Sequence, residues 1–265
     1  MTPPVFDLQR GDGPLLISCP HDGLRIPREI ARRMTPVGRS ARDADWHVAR
    51  LYDFAHDLGA TRLAANYARY VVDLNRSADG AALYPGQDET GLCPTSSFDH
   101  EPLYAPGEEP DENEIRRRIE RYWRPYHVQL ERELDRIVAQ HGFALLWEGH
   151  TIRSRVPRFF EGDLPDFNFG TDSGRTCPPE IIEQLAALAR DAGYSVAVNR
   201  RFRGGYITRA YARPDRRIHS IQLELSQRTY LAEPDTDYDP ARAEPLKRIL
   251  KEIVGAAVTA LSDRP

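Results

Sequence analysis

Three short apolar runs constrain this chain more than anything else in it: Leu15–Cys19 (LLISC), Phe143–Trp147 (FALLW) and the alternating His219–Leu225 (HSIQLEL). Each is too short for a buried helix and ends in Gly, Pro or polar residues, so each reads as a strand. In the third, Ile221, Leu223 and Leu225 fall on one face and Gln222 and Glu224 on the other. Helical spacing lies between these runs, over Pro27–Arg33, Asp45–Leu58, Pro179–Ala192 and Pro240–Leu261. Asp111 with Glu114 forms a capping box that opens a long helix to Gln140, closed by Gly142, with Pro125 predicted to kink or split it. Further strands are predicted at Ala60–Ala64, Tyr70–Leu74 and Tyr194–Val198. Strands alternating with helices place the chain in the α/β class, a mixed sheet flanked by helices. Residues 76–110 and 153–177 are Gly- and Pro-rich without periodicity and are expected to be long, functional loops. No linker divides the sequence, so residues 1–265 are expected to form a single domain.

Composition narrows the function. Lys and Arg number 36 against 40 Asp and Glu, a net charge of −4, whereas nucleic-acid binders carry a basic patch or stripe. No stretch reaches the ~18 apolar residues of a membrane helix, and Met1–Arg10 lacks the cationic start and apolar core of a signal peptide. Cys19, Cys93 and Cys177 are widely spaced with no CxxC pair, as in a reduced, cytoplasmic protein.

In open α/β sheets ligands collect at the carboxyl ends of strands. Pro20-His21-Asp22-Gly23 follows the first run, and Glu148-Gly149-His150-Thr151 follows the second. Asn75-Arg76 follows YVVDL, Glu224 sits in HSIQLEL, and Asp43, Asp45 and His47 cluster between. Two histidines after buried strands, with carboxylates beside them, form the donor set of a catalytic zinc. An Arg at a strand end offers a planar fork for a carboxylate, and a strand Glu beside a metal can act as general base. His56, His100 and His141 read as ordinary polar residues. GxSxG, P-loop and GxGxxG motifs are absent.

These residues lie in segments that resemble the N-formylglutamate amidohydrolase family: SCPHDGLRIP at 18–27, DADWHVARLYDF at 43–54, RYVVDLNR at 69–76, YWRPYH at 122–127, LLWEGHTIRS at 145–154, LPDFNFGT at 164–171, GGYITRAY at 204–211 and HSIQLEL at 219–225. The resemblance implies the phosphorylase/hydrolase-like fold of zinc carboxypeptidases and aspartoacylases. It implies hydrolysis of N-formyl-L-glutamate to L-glutamate and formate, in histidine degradation, at one divalent metal, expected to be Zn²⁺. Carried over onto this chain, Asn75 and Arg76 hold a substrate carboxylate, Thr208 or Arg209 takes the other, and Glu224 acts on the metal's water. The zinc carboxypeptidases place a carboxylate three residues after the first ligand His; here Leu24 stands there. The third ligand beside His21 and His150 is therefore taken as Asp45, in preference to Asp43 or His47. The implied partner is a small N-acyl dicarboxylic amino acid, with neither nucleic acid nor membrane. Two readings compete: a related zinc hydrolase acting on another N-acyl amino acid or a C-terminal peptide bond, and a non-catalytic binding protein.

Overall fold

Buried apolar residues build a single seven-stranded sheet in the order β1-β3-β2-β4-β7-β5-β6. The strands are β1 Phe6–Gln9, β2 Leu15–Cys19, β3 Thr61–Ala65, β4 Ala144–Ile152, β5 Phe167–Gly170, β6 Val196–Val198 and β7 Ile218–Ser226. The computed structural model describes residues 3–84 and 86–264; Met1 and Thr2 of the expected leaderless start, and Pro85 of the expected long loop, lie outside them. Strands β3, β2, β4 and β7 run parallel, while β1 and β5 pair antiparallel with β3 and β7. The sheet is thus mixed, as the alternation of strands and helices predicts.

Among the described residues eight α-helices accompany it: α1 Arg28–Ala31, α2 Pro36–Ser40, α3 Val48–Leu51, α4 Glu112–Arg118, α5 Arg124–His141, α6 Pro179–Asp191, α7 Tyr206–Tyr211 and α8 Pro240–Ser262. Because strand side chains alternate between faces, each central strand feeds two cores. Leu15, Ile17, Trp147, Ile221 and Leu223 pack under α6 and α8. Leu16 and Leu146 pack with Tyr126, Leu130, Leu134 and Ile137 of α5. On the α5 side the strands turn polar toward their carboxyl ends, and Ser18, Glu148, His150, Gln222 and Glu224 are all buried there. That change of character positions the site.

Several elements differ from the sequence reading. Tyr70–Leu74 is not a strand: its residues are buried in a turn, with Val71 N–H bonded to Ala68 O and Asp73 N–H to Leu92 O. Strand β4 runs on to Ile152, so Glu148 and His150 belong to the strand rather than to a turn after it. Gly149 makes this possible, because a Cβ there would lie 2.6 Å from the Tyr52 ring packed on the opposite face. Strand β5 lies inside the expected 153–177 loop, and β1, α2 and α7 were not expected. The Asp45–Leu58 helix is broken into α3 and a 3₁₀ segment, Asp53–Leu58, ended by Gly59 in the left-handed conformation. The long helix splits as Pro125 requires, through one π-helical turn, Ile119–Trp123, in which Arg124 N–H bonds Ile119 O five residues back.

Candidate active site

Strand ends converge on a cleft lined by His21, Asp45, Arg69, Asn75, Arg76, His150, Arg201, Gln222 and Glu224, among others. His21 stands just beyond β2, whose end is tied to the Asp45 loop by Asp45 N–H bonding His21 O at 3.0 Å. The register of β4 and β7 sets His150 beside Glu224 on the same face.

His21, Asp45 and His150 are all buried, and one donor atom from each lies within 4.8 Å of the others. The His150 Nδ1 to Asp45 Oδ2 distance is 2.9 Å, and from His21 Nδ1 to the same oxygen it is 3.7 Å. Asp43 and His47 lie apart from this group. Asp43 accepts from Tyr70 Oη at 2.5 Å and from Phe98 N–H at 2.8 Å. His47 is held by the Thr236 carbonyl at 3.1 Å.

Each imidazole has a second carboxylate behind it. His21 Nε2 lies 2.7 Å from Asp73 Oδ1, and Arg69 donates to Asp73 Oδ2 at 2.7 Å. Glu148 Oε2 lies 3.6 Å from His150 Nε2 and accepts from the Thr208 hydroxyl at 3.3 Å. A carboxylate on the far nitrogen fixes ring orientation and raises ligand basicity in histidine metal sites.

The electrostatics point the same way. Burying carboxylates costs several kcal/mol per ion unless they are paired, and Asp45, Asp73, Glu148 and Glu224 are all buried here. Burial pushes Asp73 up, but the charge of Arg69, followed by that of His21, holds it well below the usual carboxylate range. Asp45 is likewise held low: His21 and the His150 hydrogen bond outweigh its burial. Burial pulls His150 down, yet its hydrogen bond to Asp45 and the neighbouring Glu148 carboxylate push it up to about 10. Burial is the main reason that Glu224 rises to about 8, with Asp45 adding to it. Among the protein groups, Arg69 beside Asp73 and Asp45, and His150 between Asp45 and Glu148, offset part of this negative charge. A divalent cation would meet the same demand, and two imidazoles with one carboxylate form a donor set that suits Zn²⁺.

Asn75 is locked beside the triad. Its side-chain Oδ1 accepts from Ile207 N–H at 2.9 Å, and its Nδ2 lies 3.1 Å from His150 Nε2. A Cβ on Gly205 would approach that Nδ2 to 2.2 Å, so the neighbouring turn needs glycine. The carbonyls on either side of Asn75 are gripped by the π turn and α5. His127 Nε2 donates to Leu74 O at 2.9 Å, and Trp123 Nε1 donates to Arg76 O at 2.9 Å. The two rings stack with centroids 3.6 Å apart.

Two of the expected substrate contacts do not reach the cleft. Thr208 is fully buried on Glu148. Arg209 turns away to Asp172 at 3.4 Å and to the Leu83 carbonyl at 3.2 Å. Helix α7, absent from the sequence reading, points both side chains elsewhere. Asp73, Arg69, Gln222 and Arg201 are the site residues that the sequence reading left unassigned. Asp73 and Arg69 lie within the quoted RYVVDLNR segment, which was a usable signal; Arg201 lies in an aperiodic stretch that gave none.

Known proteins resemble this chain over most of its length. The sequence model described as N-formylglutamate amidohydrolase matches residues 13–231. The chain belongs to that family. It is 47% identical over 254 residues to an N-formylglutamate deformylase of Pseudomonas putida, covering 95% of both chains. It is 45% identical over 252 residues to the Pseudomonas aeruginosa protein of the same name, covering 94% of each. The crystal structure of N-formylglutamate amidohydrolase from Ralstonia eutropha JMP134 superposes with a TM-score of 0.83 at 26% identity, covering 97% of this chain and 98% of that one. The crystal structure of an Agrobacterium tumefaciens gene product shares the fold, with a TM-score of 0.74 at 18% identity over 98% and 96% of the two chains.

Proposed function

We propose that this chain hydrolyses N-formyl-L-glutamate to L-glutamate and formate, at one divalent cation, zinc by the character of its donors. The observation that carries the reading is the convergence of His21, Asp45 and His150 beside Glu224, in a chain nearly half identical to N-formylglutamate deformylases over almost its whole length. A cation bound by those three side chains supplies the Lewis acidity that makes water nucleophilic at neutral pH.

The remaining work falls to the protein. Glu224 lies one strand from His150 and is held in a buried, weakly acidic state suited to shuttling a proton near neutral pH. Its carboxylate takes the proton from the attacking water and returns it to the leaving nitrogen. Asp73 and Glu148 hold the two imidazoles in orientation through their far nitrogens. Asn75 and Arg76 seize a substrate carboxylate beside the reacting bond. Arg76 already spends Nε on Thr90 O at 3.1 Å and Nη1 on Asn75 O at 3.0 Å, which fixes the plane of its guanidinium. The partner is a small molecule, and no described helix is long and apolar enough to cross a membrane. We place the reaction in the cytoplasm, a reading supported by three cysteines that are buried and free.

The test is formate release from N-formylglutamate by chelator-treated protein, with and without added Zn²⁺. Activity is expected to vanish on chelation and return with zinc. Full activity after complete metal removal would reject the metal mechanism.

A further inference from the structure

Three guanidiniums line the cleft, Arg69, Arg76 and Arg201, and among the described residues only Arg69 has a carboxylate partner. Arg69 bonds Asp73 at 2.7 Å and lies 3.8 Å from Asp45. Among the described residues, neither Arg76 nor Arg201 has a carboxylate oxygen within 4.0 Å.

Arg201 is set as deliberately as Arg76. Its Nε donates to the Phe159 carbonyl at 2.6 Å, which leaves both Nη nitrogens without a protein acceptor among the described residues. Its guanidinium lies 5.6 Å from the Tyr84 ring, 5.4 Å from Phe159 and 5.5 Å from Phe202. Rings hold a guanidinium in place while leaving its outer edge free to fork onto a carboxylate. Half-buried, with Glu224 and Glu89 in the same cleft but no carboxylate within 4.0 Å among the described residues, such a cation is a seat for an anion.

We infer that Arg201 holds the side-chain carboxylate of the substrate, while Arg76 holds the α-carboxylate. This assignment rests on the amidohydrolase reading of the cleft. The α-carboxylate sits two bonds from the scissile nitrogen, so it belongs to the seat next to the triad, where Asn75 touches His150. The side-chain carboxylate lies further along the chain of the amino acid and belongs to the aromatic-lined seat. Arg201 is thereby the residue that makes the cleft select a dicarboxylic amino acid over its amide or its aliphatic analogue.

The test compares N-formylglutamate with its isostere N-formylglutamine. Hydrogen bonds to charged groups carry enough energy for changes of ~10–100-fold. In Arg201→Met, the ratio of kcat/KM for the acid to that for the amide is expected to fall by ~10–100-fold. An unchanged ratio, whatever happens to the absolute rates, overturns the assignment. Arg201→Lys keeps the charge but loses the fork, and is expected to fall between the two; it also serves if the Met variant does not fold, with an unchanged ratio again overturning the assignment. Calorimetric titration of glutarate reads the seat without catalysis: binding should weaken at least ~10-fold in Arg201→Met, and equal affinity overturns the proposal. A wild-type chain that binds glutarate through Arg201 yet releases no formate from any N-formyl amino acid would sink the amidohydrolase reading and leave the anion seat standing.

Discussion

The inner end of the cleft and its mouth are built on opposite principles. At the inner end, side chains come from or near the ends of β2 and β4, and each imidazole is paired: His21 with Asp73, and His150 with Asp45 and Glu148. At the mouth, the groups come from loops. Arg76 is fixed by backbone carbonyls and Arg201 by a carbonyl and rings, but among the described residues neither has a carboxylate within 4.0 Å. The first region has its negative charge arranged in advance around the place for a cation. The second has its positive charge left open for an anion. A net charge of −4 conceals this separation, because binding follows local rather than total charge.

The comparison makes predictions that can break it. The largest effect belongs to the inner end. Glu224→Gln keeps the shape and removes the base, and kcat for formate release should fall by ~10³-fold with KM nearly unchanged, within the range that positioned acid–base groups contribute. A loss expressed mainly in KM would move Glu224 from proton transfer to binding. Next comes Asp73→Asn, which should weaken zinc affinity by roughly 10–100-fold, the usual cost of losing the partner of a ligating histidine. Competition with a chromophoric chelator measures it, and Arg76→Met measured alongside should leave zinc affinity as it was. If both variants lose zinc equally, the two regions are not separate devices. The smallest effect is that of Trp123→Phe. The stacked ring remains but the Nε1 donor to Arg76 O is lost, and one neutral hydrogen bond corresponds to ~2–10-fold. That loss should appear in KM for N-formylglutamate and not in kcat; a change in kcat alone would show that the clamp does not act through Arg76.

The same contrast explains what was legible in the sequence. LLISC and FALLW are visible as strands because continuous burial leaves no charged positions and Ser18 as the one hydroxyl, and their carboxyl ends lead to His21 and His150. The strand FNFG of β5 was hidden because its neighbours are Pro, Asp and Gly, and its support comes from Leu223 and Leu225 across the sheet. YVVDL failed in the other direction. It is as apolar as a strand, but burial in a turn satisfies that pattern equally well, and local sequence does not separate the two. Asp45 could be singled out from Asp43 and His47 only in company with the resemblance, because all three stand within five residues. The anion seat was least visible. An arginine in an Arg-rich, aperiodic stretch looks like any surface cation until the fold places Phe159 and Tyr84 around it.

The π turn at Ile119–Trp123 has a consequence for how this chain tolerates length changes. Such a turn holds one residue more than an ordinary helix needs, and each residue turns a helix by about 100°. Shortening the segment by a single position would restore regular winding and swing everything ahead of it through roughly that angle relative to α5. Arg118 of α4, whose Nη1 donates to the Val71 carbonyl at 3.0 Å, would then no longer reach the turn that carries Asn75, while Trp123 and His127 kept their hold on it. The surplus residue acts as a rotational spacer, so the grip on the substrate loop depends on the count of residues there as much as on their identity.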